Sequence, residues 1–256
     1  MQTLIDAPAP LGLSDVAAAS ALDNATAHRL LKILIEHGYV VRNEGTKRYL
    51  PGPRGLSPLE PFHPLHELRR EAASLLQLVR DQTGETTALI LFIGFERLIV
   101  EVSRGKHPLA PYYDTWLRSP MHGSASGKIL LAHRSPGERQ RVLGPGPYPG
   151  VTPATITDPN ALERHLTEVA KKGVAVARGE SFLGLTAVAV PLFAVDVLAG
   201  CLVVTGSSES FPPQRDSELR AALKNTAELL AVSAPSLRAL RHMFEHSSAL
   251  ASARAA

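Results

Sequence analysis

Apolar positions near the amino end fall at helical spacing. Ala27, Leu30, Leu31, Leu34 and Ile35 recur every three or four residues, which predicts the buried face of a helix. Asp23 or Asn24 caps this helix, it runs to about His37, and Gly38 ends it. A shorter helix precedes it over Asp15–Ala19, with Ser14 as its N-cap and Asp15 favourable at its positive end. Ser20, Ala21 and Leu22 leave room only for a tight connection. Beyond Gly38 the pattern changes: YVVR and KRYL are β-prone, and the Asn43, Glu44, Gly45, Thr46 run between them reads as a hairpin turn.

In PGPRGLSPLEPFHPLHEL, repeated Pro and Gly exclude regular structure up to about Pro64 and mark a boundary. This gives a first domain over 1–60 and a linker over 61–82. Leu65 to Gln82 is predicted helical, with Leu65, Leu68, Ala72, Leu75, Leu76 and Val79 on one stripe. That stripe fits a second copy of the chain and the next domain equally well. From 83 to 246, strands and helices alternate. TTALILFIG and ERLIVEV are strands paired around Gly94, and TAVAVPLF and GCLVVTG are two more. ALERHLTEVAKKG is a helix between Asp158 as N-cap and Gly173 as stop, and Leu219 to about Ala234 is an amphipathic one. Residues 247–256 form a frayed tail. Strand pairs so close in sequence predict an α+β fold with a mixed, largely antiparallel sheet.

The 256 residues are 45% hydrophobic and 20% charged, enough to bury a sizeable core. The single cysteine, Cys201, rules out a disulfide framework and fits a reducing compartment; its apolar setting makes it a core thiol. The longest apolar run, LTAVAVPLFAVDVLAGCLVV, is broken by Pro191 and Asp196 and reads as two strands rather than a membrane span. The start MQTLIDAPAP lacks the basic and apolar regions of a secretory signal. The expected location is the cytoplasm, with no membrane partner.

Net charge is only +3, but its distribution is uneven. Arg29, Lys32, Arg42, Lys47, Arg48 and Arg54 cluster between 29 and 54, where only Glu36 and Glu44 oppose them. Helix, tight turn, longer helix and basic hairpin together describe a winged helix-turn-helix. Its second helix enters the DNA major groove amino end first, so Asn24, Ala25, Thr26 and His28 face base edges. Arg29, Lys32, Lys47 and Arg48 are placed for phosphates, which give affinity and salt dependence rather than sequence choice. The bland alternative is a small α+β module whose charges are a solvated face.

The run HGSASGKILLA, residues 122–132, resembles several catalytic motifs and satisfies none. A phosphate-binding loop needs Gly where His122 stands and Ser or Thr where Ile129 stands. Neither Ser124 nor Ser126 has the glycine frame of a nucleophile elbow, and Ala125 occupies the place that Ser-x-x-Lys requires. No catalytic residue is assigned. His63 and His66 lie in a Pro-rich stretch without Cys or a carboxylate partner, so no metal site is assigned either.

Four pieces, in order, carry a family resemblance: ATAHRLLKILIEHGYV, the wing RYLPG, MHGSASGKILLA, and TPATITDPNALERHLTEVAKKGVAVARGE followed by GLTAVAVPLF. Over about residues 10 to 235 the chain resembles the IclR family of bacterial transcriptional regulators. The resemblance implies a winged helix-turn-helix followed by a GAF-like effector-binding domain. It implies a repressor acting as a homodimer or homotetramer on double-stranded DNA with an inverted-repeat operator, released or recruited by a small molecule, with no cofactor. The small-residue run then borders the effector pocket: the backbone of Ala125 and Ser126 lies at its edge, Ser124 is a side-chain donor and Met121 an apolar wall. Ala177, Ala187, Val203 and Thr205 match further pocket positions. Only Thr205 offers a hydroxyl, which favours a larger, partly apolar effector such as an aromatic or branched acid. Tyr112, Tyr113 and Trp116 either line this site or pack. Lys128 is a structural lysine by this matching, and Glu180 a structural or pocket-orienting carboxylate.

Three departures from the family pattern stand out. MQTLIDA matches only the last part of the family's first helix, which implies either a start upstream of Met1 or a weakened, truncated DNA-binding domain. Ala21 replaces a turn glycine; if positive φ persists there, it costs about 1 kcal/mol relative to Gly. Pro51 stands where a Leu is usual and shortens the second wing strand.

Overall fold

The amino-terminal unit, Met1–His63, is organised by α3 (Asn24–Glu36), which follows α1 (Gln2–Ile5) and α2 (Leu13–Ala19). The computed structural model describes residues 1–56, 59, 62–106 and 119–244. Asp23 starts α3: its carboxylate accepts the Thr26 N–H at 2.9 Å. The turn between α2 and α3 holds Ala21 at φ +52°, the left-handed conformation that the missing glycine would adopt without strain. The start of α2 differs from expectation. Its N-cap is Gly12, whose N–H is accepted by the Asp15 carboxylate at 3.0 Å, and Ser14 lies inside the helix. Strands β1 (Val40–Arg42) and β2 (Tyr49–Pro51) pair antiparallel as the wing.

Leu4, Val16, Leu31, Val40 and Tyr49 form the core of this unit. The expected apolar face of α3 is narrower than its sequence pattern: Ala27 and Leu31 are buried, but Leu30 is 44% exposed and Ile35 36%. α3 packs chiefly on α2 and β1, which cover one side of it only. A four-residue helix, α4 (Pro53–Leu56), occupies a stretch expected to be irregular. Pro53 is tolerated there because the first helical residue needs no N–H donor.

The second unit begins with α5 (Pro64–Thr83), whose residues Leu68, Ala72, Leu76 and Val79 are buried in its core. There follow β3 (Thr86–Ile93), β4 (Glu96–Ser103), α6 (Ala125–Ala132), α7 (Pro136–Leu143), α8 (Pro159–Lys172), β5 (Ala175–Arg178), β6 (Leu185–Ala194), β7 (Val197–Ser207), α9 (Asp216–Ser233) and α10 (Pro235–Ala239). The strands form one sheet in the order β4-β3-β7-β6-β5, and every pairing in it is antiparallel. Asp158 caps α8 through the Ala161 N–H, and Gly173 ends it at φ +62°.

Alternation along the strands sends two sets of side chains to two faces. Leu89, Leu91, Val188, Val190, Leu202 and Val204 meet α5, α9 and α10. On the opposite face Ala88, Ile90, Phe92, Ala189, Cys201 and Val203 meet α6 and α8, and Cys201 is fully buried. No helix among the described residues is long and apolar enough to cross a membrane. Tyr112, Tyr113, Trp116 and the 247–256 tail lie outside the described residues.

Candidate DNA and effector sites

On α3, Asn24, Ala25, His28, Arg29 and Lys32 are exposed and Thr26 is partly so, leaving the amino-terminal turns of the helix presented to solvent. His28 and Lys32 also border a shallow groove with Val41, Arg42, Glu44 and Tyr49 of the wing. Lys47 and Arg48 of the wing are locally held. Lys47 donates to Glu44 Oε2 at 2.9 Å, and Arg48 Nη1 donates to the Pro10 carbonyl at 2.9 Å and lies 4.0 Å from Asp15. The Lys47 hydrogen bond, reinforced by the charges of Lys47 and Arg42, holds the Glu44 carboxyl below its usual range. Exposed pairs of this kind are weak, so a phosphate can replace the carboxylate.

In the second unit, α6 is set by Ser124, which caps it by accepting the Gly127 N–H at 3.3 Å. Gly127 is required by crowding: a Cβ there would lie 2.3 Å from the Met121 carbonyl oxygen. The Ser124 hydroxyl also accepts a hydrogen bond from Arg97 Nη1 at 2.6 Å. Arg97 Nη1 lies 3.3 Å from Ser126 Oγ as well, and Nη2 donates to the Ser119 carbonyl. Arg97 is only 3% exposed, and burial brings its pKa down to about 10, so it remains a cation at neutral pH. One turn along α6, Lys128 is wholly buried and its Nζ donates to Glu180 Oε1 at 2.5 Å. Burial pushes the Glu180 carboxyl up and the Lys128 ammonium down, against their mutual attraction. Glu180 Oε2 is buried without a hydrogen-bond partner.

Ala177, Ala187 and Thr205 occupy one cross-strand row, through the pairs Ala177↔Ala187 and Ala187↔Thr205, and Val203 lies two residues from Thr205 on the same face. Ala177, Val203 and Ala125 are buried in the core cluster beneath α6, with Met121 and Ala187 packed against it. The matched positions thus converge on one sheet face. Beside them, Arg97, Met121, His122, Leu143 and Tyr148 border an open groove. Of the expected effector positions, Met121 is the one that borders this groove; Ser124 and Ser126 stand behind it, holding Arg97.

The family described as "Bacterial transcriptional regulator IclR C-terminal" matches residues 64–232, and "IclR helix-turn-helix domain" matches residues 1–44. The chain belongs to the IclR family. It is 30% identical over 183 residues to the HTH-type transcriptional regulator XynR of Escherichia coli, covering 72% of this chain and 73% of XynR. An IclR homolog of Microbacterium hydrocarbonoxydans complexed with 4-hydroxybenzoate is 26% identical, with TM-score 0.74, covering 93% of this chain and 95% of that one. A double mutant of the PobR inducer-binding domain from Acinetobacter, complexed with 3-hydroxybenzoic acid, is 26% identical, with TM-score 0.58, covering 64% of this chain and 97% of that domain.

As an IclR-family member, the chain is a DNA-binding transcriptional regulator modulated by a ligand, with a helix-turn-helix unit and a carboxyl-terminal effector domain. Sequence matching located α6 and the strands of this domain but passed over Arg97. A signal for it exists in ERLIVEV: Arg97 shares the inward parity of Ile99, so it is a charge at a position where alternation calls for an apolar side chain.

Proposed function

We propose that the chain is a cytoplasmic repressor that binds an inverted-repeat operator as a homodimer or homotetramer and responds to a small organic acid with an aromatic or branched body. The observation that carries the DNA half is α3, whose exposed Asn24, Ala25, His28 and Arg29 surround its amino end while Ala27 and Leu31 hold it to the core. In this reading Asn24, Ala25, Thr26 and His28 read base edges, and Arg29, Lys32, Lys47 and Arg48 engage phosphates. The effector half draws support from the convergence of Met121, Ala177, Ala187 and Val203 on one apolar cluster and from the hydroxybenzoates held by the two structural relatives. Ser124, Ala125, Ser126 and Thr205 complete that site, and the domain has no enzymatic role: Ser124 is occupied as a cap and Lys128 by Glu180.

The test is fluorescence anisotropy on DNA from immediately upstream of the chain's own gene, against a scrambled duplex, across a salt series. Preferential binding that survives moderate salt is expected. Asn24→Ala, Thr26→Ala and His28→Ala should alter sequence preference, while Lys32→Ala should weaken all duplexes alike and flatten the salt slope by about one. Equal, salt-sensitive binding to both duplexes would count against the operator reading.

A further inference from the structure

In the amino-terminal unit, α3 and β1 border one open groove of about 420 Å³. Lys32 lines it from the helix and Arg42 from the strand, with the buried Tyr49 ring beside them. His28 borders it one helical turn before Lys32, toward the residues expected to read bases. Lys32 and Arg42 differ from the other wing cations in what already holds them. Lys47 is tied to Glu44, and Arg48 to the Pro10 carbonyl. Lys32 makes no hydrogen bond or ion pair among the described residues. Arg42 is placed by a ring and a loose pair: its guanidinium carbon lies 5.8 Å from the centre of the Tyr49 ring, and Nη1 lies 3.9 Å from Glu44 Oε1. Its Nε is buried without a hydrogen-bond partner. The ring contact therefore limits the freedom of the guanidinium without using up its hydrogen-bond donors. Glu44, whose carboxylate is exposed, lines the same groove.

A guanidinium and an ammonium brought to one open groove from two elements match a phosphodiester. That group carries one negative charge and several acceptor oxygens, and its chain must pass through the groove rather than end inside it. The Glu44 carboxylate offers Arg42 the same charge and competes for the same place, but only as a weak, exposed pair. We propose that one backbone phosphate of bound DNA sits in this groove between Arg42 and Lys32 and displaces Glu44 from Arg42. The proposal rests on the DNA-binding reading above. It adds Arg42 to the contacts of that reading and makes Lys32 and Arg42 partners at a single phosphate.

The experiment is fluorescence anisotropy of the full chain on the upstream and scrambled duplexes across a salt series, with urea unfolding of each variant to check its fold. Arg42→Gln should bind both duplexes about tenfold more weakly and flatten the salt slope by about one. Arg42→Lys should keep the slope and lose affinity severalfold, because the charge survives without the planar fork. A shared phosphate is released only once. Arg42→Gln combined with Lys32→Ala should therefore flatten the slope by about one in total, where two separate phosphates give about two. An arginine that only packs on Tyr49 would lower the unfolding midpoint and leave the slope intact. An unchanged slope in Arg42→Gln, or a double variant flattened by two, would overturn the proposal. Should Arg42→Gln fail to fold, Arg42→Lys decides: weaker binding at the native slope supports the clamp, and native affinity overturns it. Phosphate contacts are blind to sequence, so the two levels separate. Slope losses on both duplexes without operator preference sink the repressor reading alone, and operator preference with a native slope in Arg42→Gln sinks this one alone. A native chain that binds neither duplex even at low salt sinks both.

Discussion

Lys128 shows how much one side chain's meaning depends on what faces it. Beside Gly127 it looks like part of a phosphate loop, yet it is wholly buried on Glu180. Removing one partner of a buried pair strands the other, so Lys128→Met should cost about 3 kcal/mol or more in urea unfolding, and a second change, Glu180→Leu, should restore much of it. His165 is a half-buried titrating group. Burial, with the charges of Lys128 and Lys172, depresses its pKa from 6.5 to about 4, and its Nε2 is buried without a hydrogen-bond partner. The folded state therefore favours the neutral ring. Its contribution is complete above pH 6.5 and is lost as pH falls toward 4. His165→Phe should flatten that part of the acid-unfolding curve; a curve as steep as the native one would reject the assignment. Matching to the family marked Lys128 as structural and Glu180 as structural or pocket-orienting, but not that they pair, because a buried pair 52 residues apart in sequence leaves no local pattern.

Elements whose boundaries rest on local chemistry were legible: Asp23 and Asp158 cap α3 and α8, and Gly173 ends α8 in the left-handed region. At the turn holding Ala21, strain was expected only if positive φ persisted, and its φ is +52°. Ala21→Gly should raise stability by about 1 kcal/mol, less whatever the freer unfolded chain takes back, and a fall in the unfolding midpoint would show that the turn is not the strained one. Among the elements that escaped are α4 and α7. α7 was missed although Ser135 and Glu138 form a capping box at its start, a signal present in the letters SPGE. The breadth of α3's buried face was overestimated because periodicity reports where apolar residues lie and not what covers them: Ile33 and Leu30 remain 46% and 44% exposed.

At the scale of the whole molecule, the class of fold and its order of elements could be read from alternation and helical spacing, but the sheet order could not. β3 pairs with β7, joining Thr86 to Thr205 across most of the domain, and only packing selects that partner. Function at this scale is coupling: a ligand that prefers one arrangement of the DNA-binding units must be bound more or less tightly when DNA is present, by the same factor. Glu44 holds Lys47 at 2.9 Å and lies 3.9 Å from Arg42, so if the wing cations meet phosphate as proposed, it tunes the DNA side of that balance. Glu44→Gln should strengthen binding to every duplex and steepen its salt dependence, measured by anisotropy; unchanged affinity would mean that the wing cations do not meet phosphate.

Cys201 carries a practical consequence. It is the chain's sole thiol, fully buried on β7 in the second unit, and burial pushes its pKa well above that of a free cysteine. A maleimide can therefore reach it only when the central strands part, so the labelling rate is an intrinsic clock for opening of that unit, silent to fraying elsewhere. A ligand that binds the closed sheet must slow this clock in proportion to its occupancy. Any untested metabolite can thus be ranked by mass spectrometry, without an operator, a dye or a second protein.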